Sequence, residues 1–223
     1  TNFCNRAIWL KEGQLYQSGD PMVVTNNYHT YMCHETMPLD VAERNSVKNT
    51  SDNLHNQYNE LVWEEITNNK NINGDLGAEI KKVTLYTKIP FEKTNVLHGG
   101  EDVIYIIDID IKTDIEYPFI GWILYDTYNN ALCGGCTYYS ENNVTFFHKG
   151  QRILSKFEFK FPRMHNGTYI FSAGISSGTL ENRLVHFLVY DAYVIQIING
   201  DIRANMGGYF IIDDIKMHIA ISL

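Results

Sequence analysis

The sequence lacks the features that mark three large classes of protein. Its longest uninterrupted apolar runs are far shorter than the roughly 20 residues that a helix needs to cross a bilayer. It has four cysteines in 223 residues, too few for a small disulfide-stapled domain, so we expect reduced thiols and a cytoplasmic location. Its formal net charge is −8. Because an acidic chain repels phosphate backbones, we expect no nucleic-acid partner.

What is present divides the chain into three segments, of which the first comprises residues 1–33. Residues 6–10 are apolar and β-prone, a Lys-Glu-Gly turn follows, and residues 14–17 are again β-prone. This pattern predicts a short hairpin. Asp20 then stands where a helix N-cap is expected, with Pro21 at the first helical position, which predicts a short helix.

The second segment, residues 34–76, is predicted to be a linker. It is dominated by Asn, Ser, Lys and Asp, which are typical of turns and of solvated chain. Between its polar stretches, residues 54–66 include Leu61, Val62 and Trp63, and they predict a short helix. We therefore expect a linker that is partly helical.

The third segment, residues 77–223, has the pattern of β-structure throughout. Apolar residues recur at every second position over residues 103–111, with Asp108 and Asp110 on the opposite face of the later half. Over residues 156–161, apolar and charged side chains alternate, which is the period of a half-buried strand. Turn signals separate the strands at regular intervals, and no helical pattern lies between them. The chain is therefore predicted to be all-β: an antiparallel β-sandwich of jelly-roll or immunoglobulin-like type, preceded by the hairpin, helix and linker.

One more apolar run, residues 207–223, follows after the sandwich is complete. A late strand in this position is expected to pair with the edge of a neighbouring chain. We therefore expect a homodimer.

The first segment resembles the end of an ABC-transporter ATPase domain. The stretch that carries the resemblance fits the pattern Cys-x-Arg-Ala-Ile-x-Leu-x-x-Gly and is Cys4-Asn5-Arg6-Ala7-Ile8-Trp9-Leu10-Lys11-Glu12-Gly13. It continues into Gly19-Asp20-Pro21 and then Tyr28. ATPases of polysaccharide exporters have this pattern just after their switch histidine.

The third segment resembles the C-terminal domain of the Wzt-type subunits of those exporters. The matching stretches are, in order, Ala78-Glu79-Ile80, Gly100 to Val103, Pro118 to Asp126, Gly167-Thr168-Tyr169 into Ala173-Gly174-Ile175, and Asp191-Ala192 before Val194. The resemblance implies a jelly-roll-like sandwich that recognises a finished O-antigen glycan, often through a modification at its non-reducing end. The attached ATPase would then drive export of that glycan.

The resemblance also implies the partners and the location of the domain. The expected partners are the O-antigen polysaccharide and, through the ATPase domain, the membrane subunit of the transporter. The expected location is the cytoplasm, at the inner face of the inner membrane of a Gram-negative bacterium.

The sequence departs from an ATPase in one respect. It has no Gly-x-x-x-x-Gly-Lys-[Ser/Thr] loop to bind phosphates, and no Walker B or signature region. We therefore expect no enzymatic activity and no cofactor in this fragment. ATP and Mg²⁺ are expected only for the missing ATPase domain.

Catalytic and metal chemistry have little support in the sequence. Glycoside hydrolysis needs two carboxyl groups that face one bond, and no spacing pairs any two of the carboxylates in or near strands. Most of these carboxylates are expected on solvated strand faces: Asp108, Asp110, Asp126, Glu158 and Asp191. The stretch Cys133-Gly134-Gly135-Cys136 lacks the second ligand pair of a zinc site, and its glycines are expected to form a bulge or a tight bend. We predict no catalytic and no metal-binding residues.

Aromatic residues are the stronger signal, with 15 tyrosines, 11 phenylalanines and 3 tryptophans. Sugars present apolar C–H faces that stack on aromatic rings, and their hydroxyls need polar partners. If Trp122 lies in the core, alternation turns Tyr125 to the outer face. The predicted carbohydrate-binding residues are Tyr125, Thr137, Tyr138, Tyr139, Asn142, Arg183, His186 and Tyr190. A structural or dimerisation appendage is the alternative function, and an enzyme acting on the glycan is a third.

Overall fold

Two β-sheets packed face to face form the body of the molecule. The structure is a computed structural model that describes residues 4–21, 24, 25, 28, 61–67, 71–139, 144–179, 182–201 and 208–211. The strands within those residues, in chain order, are β1 (Ala7–Lys11), β2 (Gln14–Gly19), β3 (Glu64–Glu65), β4 (Ile72–Asn73), β5 (Ala78–Thr87), β6 (Glu92–Lys93), β7 (Val96–Leu97), β8 (Asp102–Ile111), β9 (Ile115–Glu116), β10 (Pro118–Asp126), β11 (Ala131–Cys136), β12 (Phe146–Phe147), β13 (Arg152–Lys160), β14 (Gly167–Gly178) and β15 (Arg183–Ile197). A 3₁₀ turn, Thr137–Tyr139, follows β11.

The two sheets differ in strand order. The first, which we call the β10 sheet, has the order β11-β10-β14-β15-β4, with β7 beside the last residues of β15. The second, the β8 sheet, has the order β13-β8-β5-β3, with β6 beside β5. Neighbouring strands in both sheets run antiparallel, except for the parallel pair of β7 and β15. The prediction of an antiparallel β-sandwich is confirmed.

The core lies between the two sheets, where inward side chains alternate with outward ones along each strand. Tyr105 of β8 stacks on Phe171 of β14 with ring centroids 4.8 Å apart, and Trp122 of β10 stacks on Phe159 of β13 at 4.7 Å. Other fully buried core side chains are Ile80, Val83, Leu85, Ile107, Ile109, Leu124, Ala173, Ile175, Val189 and Ile195. Trp122 is therefore a core residue, which is the condition under which Tyr125 faces outward.

One outward side chain of β8 is buried, contrary to expectation. Asp108 has no exposed surface, and its carboxylate accepts two hydrogen bonds from Arg152 of β13, from Nε at 2.8 Å and from Nη2 at 2.6 Å. Asp110, the next outward carboxylate, stays partly exposed beside Lys112. The prediction of a solvated face is therefore wrong for Asp108, because the adjacent strand supplies a cation that pairs with it through two bonds.

The described end of the second segment is extended and joins the sandwich. β3 lies on the edge of the β8 sheet, antiparallel to β5. Leu61 and Trp63 pack on two buried outward residues of β8, Ile104 and Ile106. The predicted helix is therefore wrong for its described part, residues 61–66, because tertiary contacts outweigh local helix propensity. The rest of that helix lies outside the described residues.

The first segment forms the predicted hairpin. β1 and β2 pair antiparallel through Glu12 and Gly13, which have φ angles of 51° and 76°. Positive φ at both central residues is the type I′ geometry that suits a two-residue turn. Beyond β2, Pro21 is helical, and the amide of Val24 donates to the carbonyl of Asp20 at 3.0 Å. The helix therefore begins after Asp20, as predicted.

Residues 208–211 lie along the sandwich of their own chain. The amide of His165 donates to the carbonyl of Tyr209 at 3.0 Å, and the amide of Ile211 donates to the carbonyl of Arg163 at 2.9 Å. Most of the late apolar run lies outside the described residues, so its pairing with a neighbouring chain, and hence the homodimer, stays a prediction. Among the helical residues that the structure describes, no helix is long and apolar enough to span a membrane.

Candidate functional site

A cavity of about 610 Å³ opens on the outer face of the β10 sheet. Three neighbouring strands turn alternate residues toward it, because side chains two positions apart on a strand share a face. Thr25 of the first segment reaches the same cavity. The outward residues that line it are Phe119, Gly121, Ile123 and Tyr125 on β10, Ser172, Gly174 and Ser176 on β14, and Arg183, Val185, Leu188 and Tyr190 on β15.

The floor of the cavity is made of backbone and hydroxyl groups. Gly121 and Gly174 pair with each other across β10 and β14 and contribute no side chain. Beside them, the Oγ of Ser172 accepts a hydrogen bond from the amide of Ile123 at 2.8 Å and donates to the carbonyl of Ile123 at 3.2 Å. The floor is therefore low and already hydrogen-bonded, which leaves room for a flat ligand above it.

Two tyrosines lie next to each other over this floor. The ring centroids of Tyr125 and Tyr190 are 6.4 Å apart, with planes inclined at 57°. Burial raises the pKa of Tyr125 to about 12, with a further contribution from Tyr190, while the charge of Arg183 acts in the opposite direction. Tyr125 therefore keeps its proton at physiological pH and offers both an apolar ring and a hydroxyl donor.

Glycines let β11 approach β10 closely beside the cavity. A Cβ on Gly134 would lie 2.6 Å from the carbonyl oxygen of Trp122, and one on Gly135 would lie 3.2 Å from its Nε1. The shift in register between the two strands falls elsewhere, between Leu124 and Tyr125. The predicted bulge or bend at the glycines is therefore wrong: the missing side chains allow close packing on Trp122. Within the described residues, no three His, Cys, Asp or Glu side chains form a group that would hold a metal ion.

Three of the predicted site residues line the cavity: Tyr125, Arg183 and Tyr190. Tyr138 is not among the lining residues; it packs edge-on against Phe119, which does line the cavity, with ring centroids 5.6 Å apart. Among the described residues, the structure thus brings together predicted site residues from β10, from β15 and from the turn after β11.

The other predicted site residues have different positions. The Oγ1 of Thr137 accepts a hydrogen bond from the amide of Ile120 at 3.0 Å. Tyr139 is the last residue of the 3₁₀ turn, and Asn142 lies outside the described residues. His186 is 5% exposed and is not among the residues that line the cavity.

A bulge in β15 accounts for the position of His186. Against β14, the register steps from Val185 directly to Phe187 and leaves His186 out. Its ring instead joins two other elements, with Nε2 2.9 Å from the Oγ of Ser177 and Nδ1 3.0 Å from the Oδ1 of Asp75. The extra residue also changes which positions face outward, from odd-numbered residues before it to even-numbered residues after it.

The sequence reasoning missed most of the apolar and small residues of the cavity. Phe119 and Ile123 share the parity of Tyr125 on β10, so the same alternation that predicted Tyr125 to face outward would have found them. Val185 shares the parity of Arg183. The same alternation would not have found Leu188, because the bulge at His186 changes which positions of β15 face outward. No sequence signal marks that bulge.

Comparison with known proteins identifies the family. A family model described as the Wzt C-terminal domain matches residues 69–211. The chain belongs to this family. A solved structure, described as the crystal structure of the C-terminal domain of Wzt, aligns with a TM-score of 0.58 at 15% sequence identity, covering 69% of this chain and 90% of that chain. No curated protein matches the chain.

The Wzt C-terminal domain match includes all four strands that line the cavity, β10, β11, β14 and β15. At 15% identity the structural likeness shows the fold alone. The chain is thus a Wzt-type transporter domain with a β-sandwich fold, and the resemblance of the third segment is confirmed. Residues 1–33 precede the matched range, and their likeness to an ABC-transporter ATPase stays a prediction.

Proposed function

We propose that this Wzt-type domain is a non-catalytic carbohydrate-binding module that recognises an O-antigen polysaccharide for export by an ABC transporter. The region recognised is the non-reducing terminal region of the glycan. The observation that carries the proposal is the cavity on the outer face of the β10 sheet, in which aromatic rings and polar groups converge over a low floor.

The composition of the cavity suits a sugar. Phe119, Tyr125 and Tyr190 offer rings to the apolar C–H faces of pyranoses. The hydroxyl of Tyr125 and the guanidinium of Arg183 offer hydrogen bonds to ring substituents. A volume of about 610 Å³ lies within the range typical of pockets for small ligands, about 300–1,000 Å³. The cavity therefore suits a short terminal stretch of a glycan.

The same cavity favours binding over hydrolysis. Cleavage of a glycosidic bond requires two carboxyl groups that flank it. Of the described residues that line the cavity, none is an aspartate or a glutamate. A glycan held there would meet no acid and base pair from those residues.

The proposal includes the setting that the resemblance implies. The domain acts in the cytoplasm, at the inner face of the inner membrane of a Gram-negative bacterium, as a homodimer. It contacts the membrane subunit of the transporter through an attached ATPase domain, which alone uses ATP and Mg²⁺. The alternative is a structural or dimerisation appendage that does not contact the glycan directly.

Calorimetric titration with defined O-antigen fragments, with and without their terminal modification, tests the proposal. We expect saturable binding that the double substitution Y125A/Y190A weakens about tenfold or more, because central aromatic residues dominate binding free energy. Phe91→Ala is the matched control, since this ring is 56% exposed and stacks on Tyr86, outside the cavity. Its affinity should equal that of the wild type.

Two results would contradict the proposal. If Y125A/Y190A binds the fragments as tightly as the wild type and both melt alike, the cavity is not the site. If the folded wild type binds none of the fragments, the appendage alternative is favoured.

A further inference from the structure

Arg183 differs from the other arginines that the structure describes. Arg152 and Arg163 each form an ion pair with an aspartate, and Arg6 donates a hydrogen bond to a serine hydroxyl. Within the described part of the chain, the side chain of Arg183 makes no hydrogen bond or ion pair, whereas its backbone pairs with Gly178 of β14. The chain has 26 acidic and 18 basic residues, so carboxylates outnumber the cations that could pair with them. The lack of a carboxylate partner therefore belongs to the position of Arg183 and not to the composition of the chain.

The described residues that line the cavity supply no negative charge to Arg183. Among the described residues that line the cavity, Arg183 is the only charged one. The next two lining residues along β15, Val185 and Leu188, are apolar. The side chain is half-buried, so its charge is only partly screened by water.

Arg183 lines the same cavity as Tyr125 and Tyr190. Burial and Tyr190 raise the pKa of Tyr125, and the charge of Arg183 partly opposes them. Because the side chains of Tyr125 and Arg183 line one cavity, a single bound sugar can contact both.

We infer that the glycan recognised here carries an anionic group, a carboxylate, phosphate or sulfate on a sugar, and that Arg183 binds it; this inference rests on the proposed glycan-binding function. A guanidinium presents a planar fork of N–H donors that matches the oxygens of carboxylate and phosphate. A partly desolvated cation that has no ionic partner among the described residues is costly, and a bound anion offsets that cost. Neutral sugar hydroxyls require only neutral partners, such as the hydroxyls of Tyr125 and Ser176, and leave the charge uncompensated.

The test is an array of defined bacterial oligosaccharides in which each acidic member is paired with its carboxyl-reduced, dephosphorylated or desulfated counterpart. We expect acidic members to bind at least about tenfold more tightly than their neutral counterparts, since a charge-assisted bidentate contact exceeds a neutral one by that much or more. Arg183→Gln should reduce acidic members to the affinity of the neutral ones. Arg183→Lys should recover part of the difference, because it keeps the charge and loses the fork.

Lys149→Gln serves as the matched control, because it removes one positive charge from an exposed turn outside the cavity and should leave all affinities unchanged. Inorganic phosphate alone is included as competitor, and weak competition is expected if the sugar ring is part of the recognised group. The paired array members distinguish carboxylate, phosphate and sulfate as the source of the charge.

The outcomes separate this inference from the proposed function. Equal binding of acidic and neutral partners, lowered equally by Arg183→Gln, would overturn the inference and leave glycan binding standing. Absence of binding to every member of the array would remove both. Displacement by inorganic phosphate as effective as displacement by the acidic sugar would replace the inference with a simple anion site.

Discussion

The hydroxyl of Tyr209 donates a hydrogen bond to the Oδ2 of Asp126 at 2.5 Å. Asp126 is the last residue of β10, directly after Tyr125, and it also accepts hydrogen bonds from the amides of Tyr128 and Asn130. The contact therefore ties the described C-terminal residues to the turn that follows a cavity strand. In this way the end of β10 is held from two sides, by its own turn and by residues 208–211.

Tyr209→Phe should weaken the attachment of residues 208–211 to the sandwich. The variant keeps the ring but loses the hydrogen bond to Asp126 and the one that the hydroxyl accepts from Nδ2 of Asn130 at 3.3 Å. We therefore expect faster amide exchange at His165 and Ile211, whose amides take part in the contacts of residues 208–211. Hydrogen exchange followed by mass spectrometry measures the change. Tyr128→Phe is the control, since Tyr128 bonds Asp126 through its backbone amide, which the substitution keeps. Unchanged exchange in Tyr209→Phe would show that the hydrogen bond does not hold the segment.

Asp126 should make stability depend on acid pH. Burial acts to raise its pKa, but hydrogen bonds from Tyr209, Asn130 and Tyr128 outweigh it, so the pKa of Asp126 lies below its ordinary value. A carboxyl of this kind stabilises the fold fully above the unfolded pKa of about 4. That contribution is lost as the pH falls through the lower, folded pKa.

Thermal denaturation from neutral to acid pH measures this dependence. We expect Asp126→Asn to have a lower Tm than the wild type at neutral pH and a smaller further decrease in acid. Glu116→Gln, at an exposed carboxyl of β9, should follow the wild type. Parallel curves for Asp126→Asn and the wild type would contradict the role assigned to Asp126.

Gly134→Ala should destabilise the sandwich. The added Cβ would lie 2.6 Å from the carbonyl oxygen of Trp122, and backbone must move to relieve the clash, at a cost of about 1–3 kcal/mol. Gly200→Ala is the control, since an added Cβ there meets nothing within 4 Å. Chemical denaturation gives the free energies of unfolding of both variants. Equal values would show that the backbone of β11 moves to accommodate the added Cβ without loss of stability.

Arg152→Leu should leave a buried carboxylate without its partner. Asp108 is fully buried while the Arg152 side chain is 52% exposed, so we expect a loss near the lower end for a broken buried pair, about 2–3 kcal/mol. Arg152→Leu combined with Asp108→Leu should recover part of the loss, because no charge then remains buried. Equal stability of the single and double variants in urea denaturation would contradict a buried ion pair.

Much of the fold follows from local patterns. Alternation over residues 103–111 and 156–161 predicted strands β8 and β13, and a Gly-containing turn predicted the hairpin of β1 and β2. Where the prediction was wrong, a distant element was responsible. Residues 61–66 are extended because they pack on the β8 sheet. Asp108 is buried because Arg152 of β13 pairs with it through two hydrogen bonds.

The candidate site divides along the same line. The parity of β10 placed Tyr125 outside once Trp122 was in the core, and this required only the period of a strand. Thr25 comes from a segment far away in the chain, and Leu188 faces the cavity only because β15 has a bulge at His186. Neither position has a local signal in the sequence.

By itself the sequence determined a β-sandwich and an outward Tyr125, because alternation along a strand is a property of neighbouring residues. Tertiary structure alone decided that Tyr125, Tyr190 and Arg183 share one cavity, since that depends on strand order, on the bulge in β15 and on the bare glycine floor. It also decided that Arg183 has no carboxylate beside it among the described residues that line the cavity, because side chains from three separate strands surround it there.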